Sequence, residues 1–195
     1  METQSIPLFP LYAVMFPHGT IPLKIFEPRY LEMVSTCLKA NKDFGICLIK
    51  DGSEIGKAAE TYEVGTLSEI SYFERHPDGL LGITAHGKQR FNIISKKVQA
   101  NQLTIAEVEI LPVEPNQPVP EKYAAVVDIL RRQIDKLAHP FLKKEVKYND
   151  LAWVSCRLSE LLPLKLEQKQ KLLQINDAEQ RLEHIRELIE DLALI

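Results

Sequence analysis

The stretch "PLYAVMFPHGTIPLKIFEPRYLEMV", Pro10 to Val34, limits the fold more tightly than any other part of the chain. It carries prolines at positions 10, 17, 22 and 28 among residues that otherwise read as strand, such as Ile21, Leu23, Ile25 and Phe26. Proline has no backbone donor and is confined to sheet edges, strand starts, turns and the first turn of a helix. Pro17 with His18-Gly19 is therefore expected to turn the chain between two strands, with Gly19 the natural residue for a positive φ. Pro22 is expected at an edge or strand start. Pro28 is expected to open a helix, where its missing N–H costs nothing. Leu31, Val34 and Leu38 supply that helix with an apolar stripe, and it stops near Asn41.

Downstream the chain returns to strand. "FGICLIK", Phe44 to Lys50, reads as a buried strand, and Tyr62 to Arg75 as another, with Gly65 a bulge or a point of close approach. From His76 to Val98 the pattern predicts a Pro-Asp-Gly turn, a strand, a second turn at Gly87 and a further strand. Leu103 to Val113 closes this β part. Short strands at this spacing with one early helix imply a small barrel-like sheet. "PVEPNQPVPEKY", Pro112 to Tyr123, has four prolines and marks a boundary. Beyond it the period is helical. The first helix runs from Pro120 to about Ala138 on Val127, Leu130, Ile134 and Leu137, and His139-Pro140 ends it. The second covers about Asn149 to Leu162 on Leu151, Val154, Leu158 and Leu161, until Pro163. The third covers about Leu166 to Leu173. Asn176-Asp177 caps the fourth, with Glu179 and Gln180 placed for a capping box and Leu182, Ile185, Ile189 and Leu192 as its stripe.

Composition narrows the function classes. A net charge of −3 and a pI near 6.0 do not favour general nucleic-acid binding. A basic face for RNA would have to come from Lys88, Arg90, Lys96 and Lys97, or from Lys143, Lys144 and Lys147 with Phe141 and Tyr148 interleaved. No apolar run is long enough to span a bilayer and no leader precedes the first strand, so the cytoplasm is the expected location. Cys37, Cys47 and Cys156 are widely spaced, fitting buried apolar positions better than disulfides or metal sites. None of the five histidines is paired at helical i, i+4 spacing or placed beside a cysteine pair. "GSEIGKA", Gly52 to Ala58, imitates a phosphate-binding loop. Only three residues separate its glycines and Ala58 has no hydroxyl for magnesium, so a solvated hairpin loop is expected. Nothing assembles into a nucleophile–base pair, and neither catalytic residue, cofactor nor metal is expected.

Four segments taken in order resemble one family. "IPLFPLYAVMFPHGTIPLKIFEPRY" is similar to the opening of the N-terminal, substrate-binding domain of Lon proteases. "YEVGTLSEI", "DGLLGITAHGKQRFNI" and "LPLKLEQKQKLLQINDAEQRLEHIRELI" resemble that domain's later motifs. His18 departs from the pattern, standing where the family has glycine or a small residue, and Lys165 stands where Ser or Thr usually caps a helix. The resemblance is to the stand-alone bacterial members, without ATPase or peptidase modules. It implies an α+β fold: a PUA-like β pseudo-barrel with one inserted helix over residues 1–116, then a C-terminal four-helix bundle over 117–195. It also implies a non-enzymatic module that binds unfolded protein, peptide segments or a specific protein partner. RNA binding, by analogy with other PUA-like modules, and small-ligand binding are the alternatives. The candidate surface comprises Phe9, Leu11, Phe16 and Phe26 as an apolar rim, and His18, Glu27, Arg29 and Tyr30 as a polar corner.

Overall fold

The computed structural model describes residues 3–136 and 146–191. The chain divides into two compact units, Met1–Val113 and Glu114–Ile195. Leu137, His139-Pro140, Phe141, Lys143, Lys144 and Leu192, all singled out above, lie outside the described residues.

The first unit contains β1 (Thr3–Leu11), β2 (Thr20–Ile25), α1 (Pro28–Ala40), β3 (Phe44–Asp51), β4 (Glu60–Thr61), β5 (Val64–Arg75), β6 (Leu81–Val98) and β7 (Thr104–Ile110). The strands form one mixed sheet in the order β1-β7-β6-β5-β3-β4, with β2 joined to β6. β1 is used twice. Its first half, Thr3–Pro7, runs antiparallel to β7; its second half, Leu8–Leu11, runs parallel to β3. The second pairing joins the two ends of the path β1-β7-β6-β5-β3. Those five strands share one apolar cluster that includes Leu8, Cys47, Leu67, Phe91 and Val108. A second cluster forms where Tyr30, Met33, Val34 and Cys37 of α1 meet Phe9, Phe44, Ile46 and Ile83 of the sheet.

The prolines take the positions that their chemistry allows. Pro28 opens α1. Pro22 sits in β2, which pairs only with β6 among the described strands. The turn after Pro17 differs from expectation: the left-handed residue is His18, with φ 64°, and Gly19 is not among those with positive φ. An imidazole thus occupies a backbone conformation that favours glycine. Gly87 is not a turn either, because β6 runs unbroken for 18 residues. The backbone of the His18 turn lies directly against it. The Gly87 N–H donates to Gly19 O and Gly87 O accepts from His18 N, both at 2.8 Å. A Cβ at position 87 would stand 2.4 Å from Phe16 O, so side-chain volume is excluded there. Gly65 is a point of close approach as expected, its missing Cβ falling 2.6 Å from Cys47 Sγ.

The stripe of α1 also needs correction. Leu31 and Leu38 are exposed, and the buried face is Arg29, Tyr30, Met33, Val34 and Cys37. Both stripes have helical spacing, and contact with the sheet selects the one carrying the aromatic ring and the guanidinium.

The second unit holds a 3-10 turn (Glu121–Tyr123), α2 (Ala124–Lys136), α3 (Leu151–Leu161), α4 (Leu166–Gln174) and α5 (Ala178–Asp191). α3 packs against α2, α4 and α5. Its Leu151, Val154 and Leu158 are buried, as are Val127, Leu130 and Ile134 of α2 and Leu182, Ile185 and Ile189 of α5. Asp177 caps α5 by accepting from Gln180 N at 2.8 Å. α4 lacks a side-chain acceptor at Lys165, and Gln168 Oε1 instead accepts from Lys165 N at 3.0 Å. At the centre lies Arg181, fully buried. Its guanidinium donates to Leu172 O (3.0 Å), Ser155 Oγ (2.9 Å), Ile175 O (2.6 Å) and both carboxylate oxygens of Glu114. One cation thus ties α3, the α4–α5 junction and the segment leading into α2.

Two outcomes test this description. His18→Gly should raise stability by about 1 kcal/mol, the cost of holding an L-residue left-handed, while Gly87→Ala should lower the melting temperature. Arg181→Met should cost roughly 3–5 kcal/mol in chemical denaturation, because Glu114 and two carbonyls lose their donor.

Candidate functional site

The polar corner is built by the junction of β2 and α1. Glu27 stands at the N-cap of α1 in extended conformation, but its carboxylate caps nothing. It pairs instead with Arg29 Nε at 2.9 Å and accepts from Gly56 N at 3.0 Å. Arg29 is buried, and its two terminal nitrogens donate to Gln102 O (2.9 Å) and Glu54 O (3.3 Å). Its guanidinium also lies 4.5 Å from the centroid of the Tyr30 ring. The loop that mimics a phosphate-binding loop is therefore the counterpart of this corner. Its amides point at the protein's own acceptors: Gly56 N at Glu27, and Ala58 N at Gln102 Oε1 (3.3 Å). Tyr12 holds the loop from the other side, its hydroxyl donating to Gly52 O and its N–H to Glu54 Oε1, both at 2.7 Å.

Burial pushes the Tyr30 phenol up to about 12; Arg29 opposes this, while Glu27 and Glu54 add to it. The folded state thus prefers the neutral phenol. The stability this contributes is complete below the ordinary value near 10 and is lost as pH rises from there through about 12.

The other named residues divide sharply. Phe9, Leu11 and Phe16 are covered side chains, with Phe9 against Tyr30 at 4.3 Å between ring centroids, so these three fill the interior and do not line a rim. Phe26 stands exposed at the start of the corner, and Tyr12 and Ile55, on the segments that meet it, are exposed too. His18 belongs to the turn against Gly87 and not to the corner. The basic residues are largely committed: Lys88 pairs with Asp43 (2.8 Å) and Glu69 (3.7 Å), and Arg90 is buried. Lys96 reaches Thr61, and Tyr148 packs between Arg131 and Trp153. The three cysteines are buried and none forms a disulfide among the described residues, and burial raises the thiols of Cys37 and Cys47. Among the described residues no three His, Cys, Asp or Glu side chains are grouped to hold a metal ion.

A feature not foreseen from sequence is a groove of about 610 Å³ between α1 and the start of the sheet. Met33, Cys37, Leu103 and Ile105 supply apolar lining, with Gln4–Pro7 of β1 along one side and Asn41–Asp43 at the end of α1. The β6–β7 turn, including Gln99 and Asn101, completes it. Arg29 fixes that turn through Gln102 O, so the corner and the groove are mechanically linked. A sequence signal for the link exists: Arg29, Met33 and Cys37 follow i, i+4, i+8, which places a cation on a buried stripe.

Arg29→Ala should cost about 3 kcal/mol and speed hydrogen exchange in both 52–58 and 99–103. Loss confined to α1 would contradict the link. In an alkaline titration followed by tyrosinate absorbance, one phenol should ionise last, and Tyr30→Phe should remove that step.

The family model for the "ATP-dependent protease La (LON) substrate-binding domain" matches residues 5–191. Lon protease 1 of Hydrogenovibrio crunogenus is 26% identical over 185 residues, covering 91% of this chain and 22% of that protein. Protein cereblon of Xenopus tropicalis is 32% identical over 113 residues, 56% of this chain and 24% of cereblon. The chain thus spans about a quarter of the length of these curated relatives. Among solved structures, the Lon N-terminal domain protein from Xanthomonas campestris superposes with a TM-score of 0.79 at 33% identity, covering 93% of this chain and 96% of that one. The N-terminal domain of the Mycobacterium avium complex Lon protease shares the fold, with a TM-score of 0.68 at 14% identity and coverage of 96% and 99%. With its mixed sheet, its helices and a family match over nearly its whole length, the chain belongs to the Lon substrate-binding domain family.

Proposed function

We propose that this chain is a non-catalytic module that binds unfolded or peptide segments of other proteins, built as a PUA-like pseudo-barrel followed by a helical bundle. Family membership carries the reading, since the matched model describes a substrate-binding domain. The joining of β1 to β3 supports the pseudo-barrel, and the packing of α3 on the other three helices supports the bundle. Three local observations support binding over catalysis. The charged groups of the corner are engaged with one another, leaving no base beside a nucleophile. The loop whose sequence imitates a phosphate cradle spends its amides on Glu27 and Gln102. The groove, by contrast, combines apolar residues with polar and charged ones, Glu32, Lys42 and Asp43 among them, and runs along strand β1, as strand-edge sites for peptides do. Of the residues singled out in the sequence, Phe26 offers exposed apolar surface, and Tyr12 and Ile55 extend it.

The test uses a fluorescein-labelled, reduced and carboxymethylated protein as a permanently unfolded probe. Its anisotropy should rise saturably, with Kd at or below tens of micromolar, on the order expected of a small interface. Structured RNA at low salt should give no comparable shift. No saturable binding of the unfolded probe would contradict the reading.

A further inference from the structure

The groove has a main-chain wall with no strand partner. β1 pairs with β7 over Thr3–Pro7 on one edge, and with β3 only over Leu8–Leu11 on the other. On its β3-facing edge, Thr3 and Ser5 therefore have no strand partner among the described residues. The cause is local. Asn41 ends α1 in left-handed conformation, with φ 49° and ψ 50°. The next residue turns back, and Lys42 N donates to Cys37 O at 3.0 Å. The segment ahead of β3 is thus folded against the end of α1 and does not lie along β1. Strand groups alternate between edges. Pro7, opposite Ile105, has no N–H, which suits a residue whose main chain faces away from β7. By alternation Ser5 and Thr3 direct their N–H and C=O groups to the same unpartnered edge. Ser5 and Pro7 also line the groove.

We infer that this edge accepts an extended polypeptide segment as an added strand, continuing the line of β3 ahead of Phe44. An edge of alternating donors and acceptors is matched by an extended backbone and by no compact ligand. Thr3 and Ser5 stand roughly 7 Å apart along the edge, a span that about three residues of an extended segment cover. Every second side chain of that segment then faces the groove, where Met33 and Cys37 of α1 supply apolar lining. The inference rests on the proposed polypeptide-binding function and specifies its mode.

The experiment uses the full chain and a set of short fluorescent peptides taken from the unfolded probe by array. In the tightest-binding peptide each amide is N-methylated in turn. Strand addition predicts a period of two, with affinity falling roughly three- to tenfold at alternate positions and little changed between them. Ser5→Pro, which removes the edge N–H, should weaken binding to a similar degree, whereas Ser5→Ala should not. The melting temperature of each variant is recorded, and the N-methyl series on the wild-type chain decides the matter if Ser5→Pro fails to fold. Binding that shows no period of two and survives Ser5→Pro overturns strand addition and leaves the binding function standing. Wild-type chain that binds neither the unfolded probe nor any peptide overturns both.

Discussion

The structure depends on the double use of β1. Nine residues serve as partner to β7 with their first half and to β3 with their second. Without the parallel pairing of Leu8–Leu11, the path from β1 to β3 stays open and the cluster around Leu8, Phe91 and Val108 loses its enclosure. Upstream of Phe44 the chain turns back against the end of α1, so β3 does not extend that pairing along Ser5 and Thr3. The prolines of β1 fit this division: Pro7 stands opposite β7, and Pro10 opposite Cys47 of β3.

Two buried arginines complete the architecture by similar chemistry. Arg29 and Arg181 each lie on the apolar stripe of a helix, and each pairs with a carboxylate while donating to main-chain carbonyls of other segments. A guanidinium suits this task because its planar fork presents several donors in fixed directions and stays charged on burial. In the first unit it holds the loop after β3 and the β6–β7 turn. In the second it holds the chain between helices. A lysine in either place would satisfy fewer of these acceptors.

Much of the fold was legible in the sequence, because proline chemistry and apolar period are local. Pro28 at the start of α1, Pro22 on an edge strand, Gly65 at a close approach and the Asp177 cap all follow from rules that need only neighbouring residues. The misreadings have a common origin in contacts distant along the chain. Gly87 looked like a turn because glycine often is one, yet what excludes a side chain is Phe16 O, about seventy residues earlier. The left-handed residue proved to be His18, held by hydrogen bonds to Gly87. Two apolar stripes compete on α1, and only the sheet beneath it selects Met33 and Cys37 over Leu31 and Leu38. The groove was invisible for the same reason: it is made by what β3 does not pair with. Phe9, Leu11 and Phe16 looked like rim residues, but all three are buried.

The central claim is that Thr3 and Ser5 present a main-chain edge that receives an added strand. Amide hydrogen exchange at single residues, measured by NMR with and without bound peptide, addresses it most directly. In the free protein the Ser5 amide should exchange rapidly while its neighbour Ile6, bonded to β7, is protected. Bound peptide should slow exchange at Ser5 and leave Ile6 unchanged. A Ser5 amide already protected in the free protein, or one that stays fast when peptide is bound, would contradict the account.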